Sequence, residues 1–370
     1  MKIILFHLLC VLFCSTLCFS QDCDISGSQL TVSNGLYETA TISQSDGLRD
    51  GPEYKDAILY YPLNAPSSLP SVVMVSGFFS DATDIEEWGP FYASHGIVVM
   101  IIETNFLSNT PAERAVGLVD AVRTLKDENK RLNSPVFGKL DTTSFAASGW
   151  SMGGGGAQLA AKLDTSLKAV VALCPWLNNP TTENLNHPVP TLILSGENDF
   201  IAPPSLHATN QYMKTPETTE KLLFEIAGGD HSVANSPLGG NEEVGKMALA
   251  WLRLHLQDES CYCPFIIDSL YTNSQVTSLK ETTLSCTILA ISNENNNTSK
   301  WSIYPTKTHT NLYIDHHFDH PTKYIIYTHS GIKFSSGTLN STDKKISFPA
   351  MESGMYFIKI NDQSEKFFVF

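Results

Sequence analysis

The chain has 370 residues, more than one hydrophobic core usually spans, so we expect more than one domain. Its 38 acidic and 24 basic residues give a formal charge of −14. An acidic surface of this kind argues against nucleic acids and anionic membranes as partners, but it does not restrict a neutral substrate.

The first 20 residues have the pattern of a secretory signal peptide. A single charge, Lys2, precedes an apolar run, and the small residues Cys18 and Ser20 lie just before a plausible cut at Gln21. No later segment approaches the roughly 20 apolar residues of a membrane-spanning helix. We therefore expect an exported chain without a membrane span.

Between residues 57 and 257, short apolar segments alternate with segments of helical spacing. The apolar segments are 57–63, 71–77, 96–104, 145–151, 169–175, 191–198 and 221–228. The helical segments include 84–95, 111–130 and 242–257. Continuous apolar runs are typical of strands covered on both faces, and their alternation with helices predicts an α/β domain with a largely parallel sheet.

The character of the sequence changes after Pro264. Residues 270–300 are rich in Thr, Ser and Asn, and residues 301–370 hold short strand patterns without a helix. We predict a signal peptide (1–20), an α/β domain (21–265), a linker (266–300) and a small sandwich-like all-β module (301–370).

Five cysteines follow the predicted signal, namely Cys23, Cys174, Cys261, Cys263 and Cys286. Export permits disulfides, but spacing does not fix their pairing. The odd number predicts at least one free thiol, and Cys174 has the apolar setting of a small buried hydrophobe. No His or Cys cluster accompanies Cys261 and Cys263, so no metal site is predicted. His316 and His320 in the strand-rich module are interpreted as a solvated turn.

The segment GWSMGGGG, residues 149–156, carries the strongest chemical signal. Gly149–Trp150–Ser151–Met152–Gly153 fits G-x-S-x-G, with a predicted strand before it and a predicted helix after it. In that context the serine lies on a strained turn that projects its hydroxyl above the sheet, and bulky residues two positions away would clash. Ser151 is therefore the predicted nucleophile, and the following glycines allow close packing of the helix.

A serine nucleophile needs a base and an orienting acid, which follow it in the order acid, then histidine, each beyond a strand. Asp199 follows the segment 191–198, and His231 follows 221–228. Glu197 and Asp230 are the alternative acids. Three other histidines are weaker candidates for the base, namely His187 in a loop, His207 in a helical stretch, and His255, which is predicted to be a surface residue.

Two backbone N–H groups should stabilise the oxyanion that forms during attack. One is Met152, the residue after the nucleophile, and the other should follow an early strand. The segment 71–77 ends at Gly77, so the N–H of Phe78 is the second candidate.

The segments VSGFFSD, GWSMGGGG, CPW, GENDFIAP and GGDHSVAN together resemble the bacterial cutinase and poly(ethylene terephthalate) hydrolase family. The resemblance implies the α/β-hydrolase fold, no cofactor, and cleavage of polyesters or small esters. It also implies the triad Ser151, Asp199 and His231, with Phe78 and Met152 as oxyanion donors. It implies an aromatic substrate cleft lined by Phe78, Trp150, Trp176, Ile201 and His207, although Trp176 also fits a core tryptophan.

Some members of that family carry a disulfide flanking the acid and the histidine. Gly196 and Val233 occupy those positions here, so this cross-link is absent. The sequence does not show what else would make the loop around His231 rigid.

Residues 301–370 resemble the C-terminal sorting domain of the bacterial type IX secretion system, through WSIYP, NLYI, KYIIYTHSGIKFSSGTL and MESGMYFIKI. This resemblance implies the secretion machinery as a partner and an extracellular or cell-surface location. We expect a monomeric ester hydrolase. A lipase or short-chain esterase without polyester activity is the alternative enzyme, and an adhesin with a surface-binding tail is the alternative outside enzymes.

Overall fold

The computed structural model describes residues 35–269, 276–285, 301–304, 311–316, 318, 320–328, 333–349, 354–361 and 363–369. The predicted signal peptide, Cys23 and Cys286 lie outside the described residues.

Within these residues, a nine-stranded sheet organises the first part of the chain. Its strands are β1 (Thr39–Ser43), β2 (Asp56–Pro62), β3 (Leu69–Val75), β4 (Val98–Glu103), β5 (Leu140–Trp150), β6 (Ala169–Leu173), β7 (Thr191–Gly196), β8 (Lys221–Ile226) and β9 (Thr277–Thr282). The spatial order is β1-β2-β4-β3-β5-β6-β7-β8-β9. From β4 to β8 all neighbours are parallel, whereas β1, β2 and β9 join through antiparallel pairings.

Helices cover both faces of this sheet. They are α1 (Trp88–Ser94), α2 (Pro111–Glu128), α3 (Met152–Leu163), α4 (Ala208–Lys214) and α5 (Glu243–Leu256). Alternate strand residues feed two hydrophobic clusters: Val72 belongs to the one that contains α1 and α5 residues, and Val73 to the one that contains α2, α3 and α4 residues. The mostly parallel sheet with flanking helices confirms the predicted α/β class, and burial on both faces explains the continuous apolar runs.

Helix α2 begins as its sequence predicts. Thr110 caps it, since its hydroxyl oxygen accepts the N–H of Glu113 at 3.3 Å, while Glu113 Oε2 accepts the N–H of Thr110 at 2.7 Å. Pro111 occupies the first turn, where its missing N–H costs no helical hydrogen bond.

The sheet extends beyond its predicted strands at both edges. Strands β1 and β9 are short, antiparallel and largely polar, so they lack the apolar run that identified the others. Strand β9 falls in the stretch that the sequence assigns to the linker 266–300, because its partly exposed, Thr- and Ser-containing sequence carries no apolar run. The domain boundaries themselves remain a prediction.

The C-terminal module is built from antiparallel strands. They are β10 (Trp301–Tyr304), β11 (Asn311–His316), β12 (Thr322–Thr328), β13 (Lys333–Leu339), β14 (Lys345–Ser347), β15 (Gly354–Ile360) and β16 (Gln363–Val369). Strands β10-β11-β14 form one sheet and β13-β12-β15-β16 another. Residues of both sheets, such as Ile314 and Ile358, share one hydrophobic cluster, which is the packing of a small sandwich. The interpretation of His316 as part of a solvated turn is wrong, because it ends β11, is buried, and donates from Nε2 to Asp343 O at 2.6 Å.

The described cysteines comprise one free thiol and two disulfide-bonded residues, which agrees with the prediction of at least one free thiol. Cys174 is free and buried, and burial raises the pKa of its thiol well above the usual value. Cys261 and Cys263 are both disulfide-bonded. Cys174 is therefore a packing residue, because a protonated buried thiol is a poor nucleophile.

The prediction that His255 lies at the surface is wrong. Its ring packs at a tilt against Trp251 with centroids 4.3 Å apart, and its side chain is buried. His187 is also buried. Burial lowers the pKa of both histidines to about 4. Glu220 lies 3.7 Å from the His255 ring but is half exposed, so it does not offset this burial.

These two histidines should make the fold sensitive to mild acid. Their folded pKa lies below the unfolded value, so the unfolded chain binds more protons between about pH 6.5 and 4, and stability falls as the pH is lowered through that window. We expect each histidine to lower the free energy of unfolding by on the order of 1–2 kcal/mol between pH 7 and pH 5. His255→Phe, which keeps an aromatic ring packed against Trp251, should reduce the loss of stability measured by chemical denaturation. Equal losses in parent and variant would contradict this account, and between pH 8 and pH 7 the two should behave alike.

Candidate active site

The parallel strands bring the predicted functional residues to one edge of the sheet. Ser151 follows β5, Asp199 follows β7 and His231 follows β8. The carboxyl ends of parallel strands meet at the same edge, so residues distant in sequence converge there. The chain order Ser, Asp, His thus becomes a spatial cluster.

Ser151 lies on a strained turn between β5 and α3. Its backbone has φ 58° and ψ −121°, a left-handed conformation that a residue with a side chain rarely adopts. Three hydrogen bonds hold this peptide in place: its N–H donates to Leu173 O at 2.9 Å, and its carbonyl accepts the N–H groups of Gly155 and Trp176 at 3.1 and 2.8 Å. The surrounding structure therefore fixes the strained conformation of Ser151, which places its hydroxyl next to His231.

The glycines around Ser151 are required by space. A Cβ on Gly153 would lie 2.1 Å from Val75 O, and one on Gly149 would lie 2.5 Å from Gly153 O. Bulky residues at these positions would clash, as the sequence predicts, and the neighbour that leaves no space is the end of β3.

The three additional glycines serve different neighbours. Gly154 approaches the backbone of Leu173, and a Cβ on Gly155 would lie 2.1 Å from Trp176 O, so these two pack against β6 and the residues after it. Gly156 instead faces Pro111 O and the Arg114 side chain at the start of α2. Close packing against the neighbouring strand explains two of the three, and helix-to-helix contact explains the last.

Ser151, His231 and Asp199 form one hydrogen-bonded chain. His231 Nε2 lies 2.9 Å from Ser151 Oγ, and His231 Nδ1 lies 2.7 Å from Asp199 Oδ2. The other oxygen of Asp199 accepts the N–H groups of Ile201 and Ala202 at 2.9 and 2.8 Å. All three side chains are buried. This arrangement can deprotonate a serine hydroxyl while the carboxylate fixes the imidazole tautomer.

The alternative acids are engaged elsewhere. Glu197 Oε2 accepts the N–H of Gly228 at 2.7 Å. Asp230 Oδ1 accepts the N–H and hydroxyl of Ser232 at 2.9 and 2.8 Å, and that contact lowers the pKa of Asp230. Both carboxylates therefore shape turns beside the site.

The loop that carries His231 is held without a disulfide. A Cβ on Gly196 would lie 2.4 Å from Asp230 O, so the close approach of the two loops leaves no room for a cross-linking side chain. Instead, Asn198 N–H donates to Gly229 O at 2.7 Å, and Trp150 Nε1 donates to His231 O at 2.8 Å. Further along, Trp88 Nε1 donates to Ala234 O at 3.3 Å. Direct hydrogen bonds thus position the histidine.

Phe78 and Met152 are the predicted oxyanion donors, and both flank the nucleophile turn: Met152 follows Ser151, and Phe78 follows Gly77. Within the described residues, neither N–H donates to a backbone carbonyl, whereas the N–H of Phe79 next to Phe78 donates to Leu107 O at 2.9 Å. A Cβ on Gly77 would lie 2.8 Å from Ser151 Cβ, so the loop passes directly beside the nucleophile. Backbone N–H groups in such positions can stabilise a negative charge that develops on a bound ester.

A buried arginine, which the sequence did not single out, supports this loop. Arg114 donates to Ser76 O, Leu107 O and Asn109 O at 2.9, 2.9 and 3.0 Å. Burial lowers its pKa to about 10, so it remains charged at neutral pH. The guanidinium therefore holds the loop after β3 and the loop after β4 together.

The predicted cleft residues fall into two layers. Phe78 and Ile201 are exposed, and Trp150 and Trp176 are partly buried. His207 is buried: its ring stacks on Trp176 with centroids 5.5 Å apart, and its Nδ1 accepts the N–H of Leu177 at 3.3 Å. Burial lowers the pKa of His207. The histidine thus lies behind Trp176 and can influence a ligand mainly through that ring.

Two known family models match the chain. Residues 16–287 match the family model described as PET hydrolase-like, and residues 302–369 match the secretion system C-terminal sorting domain. Within the described residues there is no group of three or more metal-ligating side chains, and no helix is both long and apolar enough to cross a membrane.

Several characterised proteins are similar to the first part of the chain. Bis(hydroxyethyl) terephthalate hydrolase of Streptomyces coelicolor is 30% identical over 240 residues, which cover 65% of this chain and 74% of the relative. Cutinase 1 of Thermobifida cellulosilytica is 32% identical over 208 residues, which cover 56% of this chain and 76% of the relative. Cutinase 2 of the same organism is 30% identical over 227 residues, which cover 61% of this chain and 83% of the relative.

Proposed function

Because this chain belongs to the PET hydrolase-like family, we propose that it is a secreted serine carboxylic-ester hydrolase that cleaves polyesters through an acyl-enzyme. The observation that carries the proposal is the unbroken chain of hydrogen bonds from Ser151 through His231 to Asp199.

In the proposed reaction, Ser151 Oγ attacks the ester carbonyl while His231 Nε2 takes its proton. Asp199 keeps Nδ1 protonated and stabilises the imidazolium that forms. The N–H groups of Phe78 and Met152 donate to the tetrahedral oxyanion, and each such donor is typically worth about 10²–10³ in rate. His231 then protonates the leaving alcohol, and a water molecule repeats the sequence on the acyl-enzyme.

An aromatic or aliphatic polyester suits the mouth of the site. The relatives' names include a terephthalate ester hydrolase and cutinases, and the exposed ring of Phe78 with the partly buried ring of Trp176 offers apolar faces to an acyl group. Trp150, Ile201 and His207 complete the proposed cleft. The proposed chemistry uses side chains and backbone groups of this chain together with the water that hydrolyses the acyl-enzyme.

The sorting-domain match supports delivery out of the cell. The family match of residues 302–369 implies export or surface attachment through the type IX machinery. We propose that the predicted signal peptide directs the first step of export and that the β-rich module 301–370 directs the last. The proposed domain boundaries are those predicted from the sequence, except that strand β9, which lies in the predicted linker, joins the sheet of the catalytic domain.

The substrate assignment is tested by measuring acid release from a poly(ethylene terephthalate) film and from a short nitrophenyl ester, with Ser151→Ala as the blank. We expect release from both by the parent and from neither by the variant. If only the small ester were hydrolysed, the protein would be reassigned from a polyesterase to a short-chain esterase. No turnover of either substrate would overturn the proposed function.

A further inference from the structure

Three phenylalanine rings outside the assigned cleft are strongly exposed on loops near Ser151. Phe79, Phe106 and Phe200 have 68%, 71% and 84% of their surface exposed. Single exposed apolar residues are ordinary, but several that share one face indicate an interaction surface.

The sheet places these three rings on both sides of the nucleophile. Phe106 follows β4, Phe79 follows β3 and Phe200 follows β7, while Ser151 follows β5. In the order β4-β3-β5-β6-β7, four strand spacings separate the outermost loops, or about 19 Å at the spacing of neighbouring strands. Because all five strands are parallel, the loops emerge at the same edge. The exposed rings therefore flank the site across a width greater than one aromatic ester unit.

The loops that carry two of the rings are held in place. Phe79 has φ 53°, an unfavourable conformation for a bulky residue, and its N–H donates to Leu107 O at 2.9 Å. Its ring contacts Phe78 edge-on, with centroids 4.6 Å apart. Phe106 O accepts the Thr104 hydroxyl and the Asn109 N–H, each at 2.9 Å. A strained backbone that presents a ring to solvent is typical of a functional position.

We propose that Phe79, Phe106 and Phe200 form an adsorption surface for an uncharged, water-insoluble polyester, continuous with the exposed cleft residues Phe78 and Ile201. This inference rests on the proposed function and extends it from one ester bond to the surface of a solid polymer. The net charge of −14 disfavours an anionic bilayer or a second copy of the chain as occupant, whereas an uncharged polymer carries no such penalty.

The test measures binding without turnover. The full chain carrying Ser151→Ala is compared with the same chain carrying Phe79→Ser, Phe106→Ser and Phe200→Ser, by depletion isotherms on an amorphous poly(ethylene terephthalate) film. Losing three apolar contacts should weaken partition to the film at least about tenfold, equivalent to about 1.4 kcal/mol. Exposed positions should tolerate these substitutions, and far-UV circular dichroism checks that the variant is folded.

A matched control removes three other exposed apolar side chains. Leu132, Leu163 and Met213 are 79%, 59% and 59% exposed. They lie at or just beyond the C-terminal ends of α2, α3 and α4. Helices that follow parallel strands run back along the sheet, so these ends lie at the opposite edge. Their replacement by serine should change film binding less than twofold.

Three results would overturn the adsorption surface. These are film binding unchanged in the phenylalanine variant, an equal loss in the control variant, or a loss confined to binding of phosphatidylcholine vesicles or to self-association in sedimentation velocity. Ester turnover by the parent chain is measured separately, so a failed hydrolysis assay would refute the proposed function without deciding the adsorption result.

Discussion

Replacing His231 with alanine is expected to lower kcat on a soluble nitrophenyl ester by about 10⁶-fold, as loss of the base does in serine hydrolases of this type. His231 Nε2 lies 2.9 Å from Ser151 Oγ, and within the described residues no other side chain is hydrogen-bonded to that hydroxyl. Without the imidazole, the hydroxyl proton has no acceptor and the leaving alcohol no donor. A residual rate from the oxyanion donors and substrate binding should remain above that of water.

Steady-state kinetics with His231→Ala and with His320→Ala measures this effect. His320 is exposed and lies in the C-terminal module, so its replacement should leave kcat unchanged. A loss of less than about 100-fold in His231→Ala would mean that another group acts as the base. Circular dichroism of both variants separates loss of chemistry from loss of fold.

Replacing Asp199 with asparagine is expected to lower kcat by about 10⁴-fold. Asp199 Oδ2 accepts from His231 Nδ1 at 2.7 Å, which leaves Nε2 free to take the serine proton. An amide at this position would offer an N–H to Nδ1 and favour the tautomer that is protonated at Nε2. The imidazole would then keep its place and lose its function as a base.

Asp230→Asn and Glu197→Gln are the matched controls for this variant. Both carboxylates are close in sequence to the proposed pair, yet they accept hydrogen bonds from turn backbone groups and, for Asp230, from Ser232. Their kcat should stay within a few-fold of the parent. If either control lost as much activity as Asp199→Asn, the acid of the triad would have to be reassigned.

The central strands and the nucleophile turn could be predicted because their signals are local. Apolar runs identified β2 to β8, and the sequence around Ser151 requires glycines wherever a Cβ would meet Val75 O or Trp176 O. The positions of Asp199 and His231 followed from the rule that functional residues lie beyond strand ends.

What the sequence could not reveal depends on tertiary contacts. Edge strands β1 and β9 are polar on one or both faces, so no apolar pattern identifies them. Arg114 and Trp150 meet the loops that they hydrogen-bond only after the chain folds. No pattern in the neighbouring sequence predicts these contacts. His255 belongs to α5, and only the packing against Trp251 shows that it is buried.

The most direct test of the proposed mechanism is the site of covalent modification. A nitrophenyl alkylphosphonate loses nitrophenolate when a serine oxygen attacks phosphorus, and the phosphonate stays bound to that oxygen. Mass spectrometry of the digested full chain should find one adduct, on Ser151, and labelling should slow sharply in His231→Ala. An adduct on a different residue, or labelling of Ser151 at the same rate without His231, would contradict the proposed triad.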